Sequence, residues 1–204
     1  MSHTLTARRL LVTSVVLAAS ACSRFRGHTA PPASRALQQP AAAASRPAPR
    51  RDAPTDANIA AILLAANNTD ISYARLAPSR ASSQAVKDFA ASMLTDHTTV
   101  NQTVVTLLNT INLNPEENVT SLDFRDESTN KRDTMRELSG RAFDTTYMAN
   151  EVSYHTKLLA SIDNSLAPSA RNPQLVRTIS AIRGAMAAHL EHAITVRAQV
   201  AAGR

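Results

Sequence analysis

The 204-residue sequence holds one cysteine, no tryptophan and four glycines. A single cysteine excludes an internal disulfide and any cysteine-cluster zinc site. The glycines, Gly27, Gly140, Gly184 and Gly203, stand alone, so there is no glycine-rich phosphate loop. Aromatic residues make up only 3% of the chain. Strands favour aromatic and β-branched residues, so this shortage, beside plentiful alanine, points to helices. Four glycines and ten prolines are too few for a collagen-like or wholly disordered chain. After the first 21 residues no apolar run reaches the ~18 residues that a membrane-spanning helix needs.

The net charge of +6 raises the question of nucleic acid, and its distribution answers it. Residues 1–56 carry eight arginines against Asp52 and Asp56. Residues 57–204 carry 14 basic and 14 acidic side chains. A nucleic-acid-binding domain carries its own basic face. Here the excess sits outside the domain-length part, and no nucleic-acid partner is expected.

The N-terminus reads as an export signal. Arg8-Arg9 form a basic start, Leu10 to Ala19 an apolar stretch, and Ala19-Ser20-Ala21 a small-residue site before Cys22. This pattern is too short for a permanent span and fits a secretory signal over residues 1–21. The lone cysteine directly after small residues resembles a bacterial lipobox. That resemblance implies cleavage before Cys22 and lipidation of it, and Ser23 in the next place implies the outer membrane. The membrane would then be a partner through acyl chains rather than through a helix. Ordinary cleavage nearby would instead leave a free thiol. Residues 22–55 read as a disordered tether, since residues 23–56 hold six of the ten prolines among Ala, Ser and Arg.

From 56 to 204 the apolar residues recur at helical spacing. A first helix is predicted over about 56–77, capped by Thr55 or Asp56 and ended by Pro78. Its stripe runs Ile59, Leu63, Ala66, Asp70, Tyr73, Ala77. A second, over about 83–112 with Ser82 or Ser83 as cap, carries Val86, Phe89, Met93, His97, Val100, Val104, Leu107 and Ile111. Residues 113–127 are polar and read as a crossing loop, followed by a helical piece over 128–138 that Gly140 interrupts. A third helix, about 142–166, carries Tyr147, Glu151, His155, Leu158, Ile162 and Leu166. Asn172-Pro173 opens a fourth, with Leu175, Ile179, Ile182, Met186, His189, Ala193, Val196 and Val200. The three-four alternation is that of a bundle seam. The expected fold is all-α, a ferritin-like antiparallel four-helix bundle.

Five ionisable residues interrupt these stripes where apolar side chains belong: Asp70, His97, Glu151, His155 and His189. Buried ionisable groups are costly unless paired or bound to a metal. Inward-facing histidine and carboxylate are how helical bundles build metal sites. This donor chemistry suits Fe, Mn, Zn, Cu or Ni. A di-iron oxidase centre does not fit, because Glu-x-x-His occurs before none of the four histidines from His97 onward. Counted along the helices at 1.5 Å per residue, Glu151 and His189 share a level, His155 lies ~6 Å from it, and Asp70 is offset ~10 Å from His97. Asn67 lies nearer the His97 level. The five residues therefore read either as one loose metal cluster or as separate buried hydrogen bonds. His192, one turn from His189, falls off the stripe. Asp96, beside His97, is placed to orient a histidine of a neighbouring helix or to face solvent. No activated nucleophile is visible, so binding is favoured over turnover. The rival reading is a metal-free structural or protein-interaction bundle with an envelope protein partner.

The same residues carry a family resemblance. Val86-Lys87-x-Phe89-Ala90-x-x-Met93-x-x-Asp96-His97 resembles the central motif of exported bacterial proteins described as domain of unknown function 4142. Leu138-Ser139-Gly140-x-x-Phe143-Asp144-x-x-Tyr147 is similar to a second motif, and Asn172-Pro173-x-Leu175 with His189-Leu190-x-x-Ala193 to the last. The resemblance covers about residues 56–200. It implies a ferritin-like four-helix bundle and no established activity, and it maps the family histidines onto His97, His155 and His189. The chain departs from that pattern at Asp70, where the family has Glu, and at Tyr154, where it has Asp.

Overall fold

The computed structural model describes residues 53–203. The export signal, Cys22 and nearly all of the tether lie outside the described residues. The helices are α1 (Asp56–Ala74), α2 (Ala77–Arg80), α3 (Gln84–Thr110), α4 (Val119–Arg136), α5 (Gly140–Ser161), a π-helical turn (Ile162–Leu166), α6 (Ala167–Ser169) and α7 (Pro173–Ala201). No strand occurs among the described residues, and the fold is all-α. Five helices, α1, α3, α4, α5 and α7, have 18 residues or more. α1 packs against α3 and α4, α7 against α5 and α3.

Local chemistry sets the helix starts. Thr55 caps α1 in a reciprocal pair with Asn58, satisfying donors that a helix end leaves open. Asn172 caps α7 by accepting from the backbone N–H of Gln174 and Leu175, with Pro173 in the first turn, where its missing N–H costs nothing. Asp56 reaches across to accept from the backbone N–H of Arg171 and Asn172, at 2.8 and 2.9 Å. That contact ties the start of α1 to the start of α7. Gly140, at φ +61°, opens α5 in the left-handed region that glycine enters without penalty.

Two boundaries and one cap differ from the sequence reading. α1 ends at Ala74, and Pro78 lies in the first turn of α2 rather than closing the helix before it. The expected 113–127 loop is mostly helix, because α4 begins at Val119 with Asn118 and Ser121 as a capping pair. α4 buries only Ser121, Phe124, Ser128 and Met135. So narrow a stripe in a polar segment carries little periodic signal. The Ser83 side chain makes no capping hydrogen bond. Its place is taken by buried Asp144 of α5, which accepts from the Ser82 and Ser83 N–H groups and from the Ser82 hydroxyl at 2.5 Å. Asp144→Ala therefore leaves two backbone donors and a hydroxyl without their acceptor. The expected cost is about 2–3 kcal/mol, read as a lower urea midpoint.

The aromatics among the described residues are concentrated in the core. Phe89, Phe124, Phe143, Tyr73, Tyr147 and Tyr154 are all buried. Phe143 stacks on Tyr147 at 5.5 Å, and Tyr154 meets Tyr73 and Phe124 edge-on at 5.9 and 6.1 Å. The Tyr154 hydroxyl donates to the Ala66 carbonyl at 2.6 Å. These rings line the core, where an unpaired polar atom is expensive.

Candidate metal centre

The core contains all five ionisable residues from the apolar stripes. α1 supplies Asp70, α3 His97, α5 Glu151 and His155, and α7 His189. Asp70, His97, Glu151 and His155 are fully buried, and His189 sits at the rim, 7% exposed. One ring nitrogen from each of His97, His155 and His189 lies within 4.8 Å of the others, and donor atoms of Asp70, Glu151 and His155 form a second such group.

Asp70 is the departure from the sequence count. Its Oδ2 lies 3.3 Å from His97 Nε2 and 3.5 Å from His155 Nε2, not a further two turns of helix away. The count took the end of the first helix and the start of the second as level. α2 stands between them and lengthens the connection, so those two ends are not level.

Each histidine is held through one ring nitrogen, which leaves the other free. Asn67 Nδ2 donates to the Leu63 carbonyl at 2.9 Å, which turns its Oδ1 to accept from His97 Nδ1 at 2.8 Å. His155 Nδ1 donates to the Glu151 carbonyl at 3.0 Å. His189 Nε2 donates to Asp96 Oδ2 at 3.1 Å. A neutral imidazole has one N–H and one lone pair. The lone pairs are thus assigned to His97 Nε2, His155 Nε2 and His189 Nδ1, and all three atoms are buried without a hydrogen-bond partner. Both oxygens of Asp70 and of Glu151 are likewise buried without one. Ligating histidines usually have this arrangement, with the outer N–H held by a carbonyl or carboxylate.

The electrostatics follow from burial. Burial pushes His97 well below its ordinary value, with His155 and His189 adding to the shift. His155 falls to about 4 because of burial, against the pull of its bond to the Glu151 carbonyl. His189 is also lowered by burial, against the pull of Asp96. The imidazoles are therefore neutral at pH 7, the form that binds metal. Burial raises Asp70 to about 7. Glu151 is raised well above the usual carboxylate range, first by burial and then by the charge of neighbouring Asp70.

Residues 38–196 match the family described as domain of unknown function (DUF4142). The chain belongs to the DUF4142 family. No curated protein and no solved structure matches it.

All five ionisable residues of this DUF4142 chain lie within the matched region. The sequence reading left three neighbours out of the site. Asn67, noted only as nearer the His97 level, sits one turn before Asp70, is buried and pairs with His97. Asp96, weighed only as an alternative, pairs with His189 while its side chain remains 52% exposed. Tyr147 was read as apolar stripe, yet its buried hydroxyl faces the Glu151 carboxyl, outside ordinary hydrogen-bond geometry. His192 is exposed and meets Phe89 edge-on at 5.0 Å, away from the three histidines that converge. Cys22 lies outside the described residues.

Proposed function

We propose that this DUF4142 protein is an exported, lipid-anchored protein of the cell envelope that binds a transition metal ion in its core. Its folded part is read as a ferritin-like antiparallel four-helix bundle of α1, α3, α5 and α7, with α4 carried in the long connection that ferritin-like bundles have between two of their helices. The observation that carries the metal reading is the set of buried lone-pair atoms without partners. Three neutral imidazole nitrogens and two carboxyls from four helices gather in two donor groups that share His155, each within 4.8 Å. Such groups are retained in a core when a ligand satisfies them. Fe, Mn, Zn and Cu all suit His97, His155 and His189 with Asp70 and Glu151. The role is binding, storage or protection against metal stress rather than turnover. Export and anchoring rest on the Arg8-Arg9 start, the apolar stretch and Cys22.

The test is metal content by mass spectrometry on the tag-free chain, purified without chelator, beside a His97/His155/His189 triple variant. The expected result is a near-stoichiometric ion that the variant loses. A wild type that arrives empty, and takes up none of Fe, Mn, Zn, Cu or Ni on reconstitution, leaves the metal-free interaction bundle standing.

A further inference from the structure

The two donor groups in the core share His155, which invites the question of one ion or two. A second ion would need a second lone pair on that ring. His155 has only one to give, because its Nδ1–H is committed to the Glu151 carbonyl at 3.0 Å. Without His155, the second group is reduced to Asp70 and Glu151, two donors within 4.8 Å of each other and too few for a four-coordinate site.

The spacing of Asp70 supports the same conclusion. Two donors each ~2.0–2.1 Å from one ion, at tetrahedral angles, stand ~3.3–3.4 Å apart. Asp70 Oδ2 lies 3.3 Å from His97 Nε2 and 3.5 Å from His155 Nε2. Both separations exceed the ~2.7–2.9 Å of a charge-assisted hydrogen bond and approach two edges of a coordination tetrahedron, while Asp70 and His189 stand in different donor groups, so the two groups must draw together on the ion to close the shell. Glu151 stands elsewhere. Its nearest contact with a histidine is Oε2 to His155 Nδ1, at 3.6 Å, on the protonated side of the ring. Its carboxyl groups with that of Asp70 instead.

We infer that the core holds one four-coordinate divalent ion of the Zn2+ class, bound by His97 Nε2, His155 Nε2, His189 Nδ1 and Asp70, with Glu151 outside the coordination shell as a positioning residue. The inference rests on the metal-binding reading above and narrows it. Asn67, the Glu151 carbonyl and Asp96 hold the three outer ring N–H groups. The Glu151 carboxyl lies beside Asp70. Four protein donors close the shell and leave no position for a substrate or an activated water. One closed site per chain has the capacity of a structural or carrier site, not of a mineral store.

The experiment is a titration of the metal-stripped full chain with Co2+, followed by Zn2+. The expected result is one Co2+ per chain, with the intense visible bands of a four-coordinate ion, displaced mole for mole by Zn2+. Glu151→Gln is expected to keep one ion and the same bands while losing ~10–100-fold in affinity, as loss of an outer partner does. Asp70→Asn and His189→Gln are expected to lose the ion at concentrations that saturate Glu151→Gln. Circular dichroism separates loss of binding from loss of fold, and His189→Gln, at the rim of the core, supplies the comparison if Asp70→Asn does not fold. Two ions per chain, the weak bands of a six-coordinate ion, or a Glu151→Gln chain as empty as Asp70→Asn would overturn the inference and leave the metal-binding reading intact. A wild type that binds neither ion removes that reading itself.

Discussion

The ion found in the purified chain, returned to the stripped protein at a thousandfold excess over its dissociation constant, raises the melting temperature by about 10 °C, and the His97→Leu chain shows none of that rise. The magnitude follows from mass action. Binding to the folded state alone at that excess contributes ~4 kcal/mol. For a domain of this size each kcal/mol moves the midpoint by ~2–4 °C. His97→Leu removes one of the three unpartnered nitrogens and with it the site. Its effect on the metal-free chain is much smaller. Leu relieves the juxtaposition of His97 Nε2 with Asp70, while Asn67 Oδ1 loses the donor it now has at 2.8 Å. An unsatisfied buried acceptor costs ~1–3 kcal/mol, and exchanging a buried polar group for an apolar one of similar size often recovers as much. Calorimetry with and without the ion reads both effects. A wild type indifferent to the ion, beside a His97→Leu chain that melts higher, is the behaviour of a metal-free bundle.

The second large effect is a pH dependence that the ion reverses. Asp70 rises from an ordinary 3.8 to about 7 in the folded chain, and Glu151 rises well above its own ordinary 4.5. Above the unfolded values the folded chain holds protons that the unfolded chain has released. Stability is therefore lost as the pH rises through the folded values, by up to ~1.4 kcal/mol per pH unit for each carboxyl. The histidines act in the opposite sense. His155 falls from 6.5 to about 4, and His97 and His189 are also lowered. They cost stability as the pH drops below 6.5, because the unfolded chain then takes up protons that the folded chain refuses. The two sets oppose each other between about pH 4 and 6.5. Above that only the carboxyls act, so the metal-free chain weakens from pH 6.5 through 7 and beyond.

A bound ion needs Asp70 ionised. Below pH 7 it must displace that proton, and affinity drops about tenfold per pH unit for each proton displaced. The gap in melting temperature between loaded and stripped protein is therefore expected to widen from pH 6 to pH 8. Urea midpoints from pH 5 to 9, with and without the ion, measure both trends. A stripped chain that grows steadily more stable from pH 6.5 to 8.5 would show that the carboxyls do not keep their protons.

The sequence alone determined most of what α1, α3, α5 and α7 bury, although on α3 Leu108 is buried while Val100, Leu107 and Ile111 of the expected stripe are half-buried. Three-four spacing makes neighbours of residues one turn apart, so His97, His155 and His189, with Asp70 and Glu151, were legible as inward-facing from position alone. The Asn172-Pro173 start of α7 and the Thr55 cap of α1 were legible for the same reason, since capping is decided within a few residues. Tertiary structure decided everything that depends on how one helix stands against another. Asp70 meets His97 because α2 lengthens the connection between α1 and α3. Asp144 caps a helix whose first residue is some 60 positions away in sequence, and Asp96 holds a histidine 93 positions away. α4 was missed because a helix with one narrow buried stripe has almost the composition of a loop. Which ring nitrogen of each histidine keeps its lone pair was also beyond periodicity, because the hydrogen-bond acceptor that settles it comes from the packed structure. Periodicity gives the face a residue occupies. Its partner depends on the relative heights of the helices, and connections and packing set those.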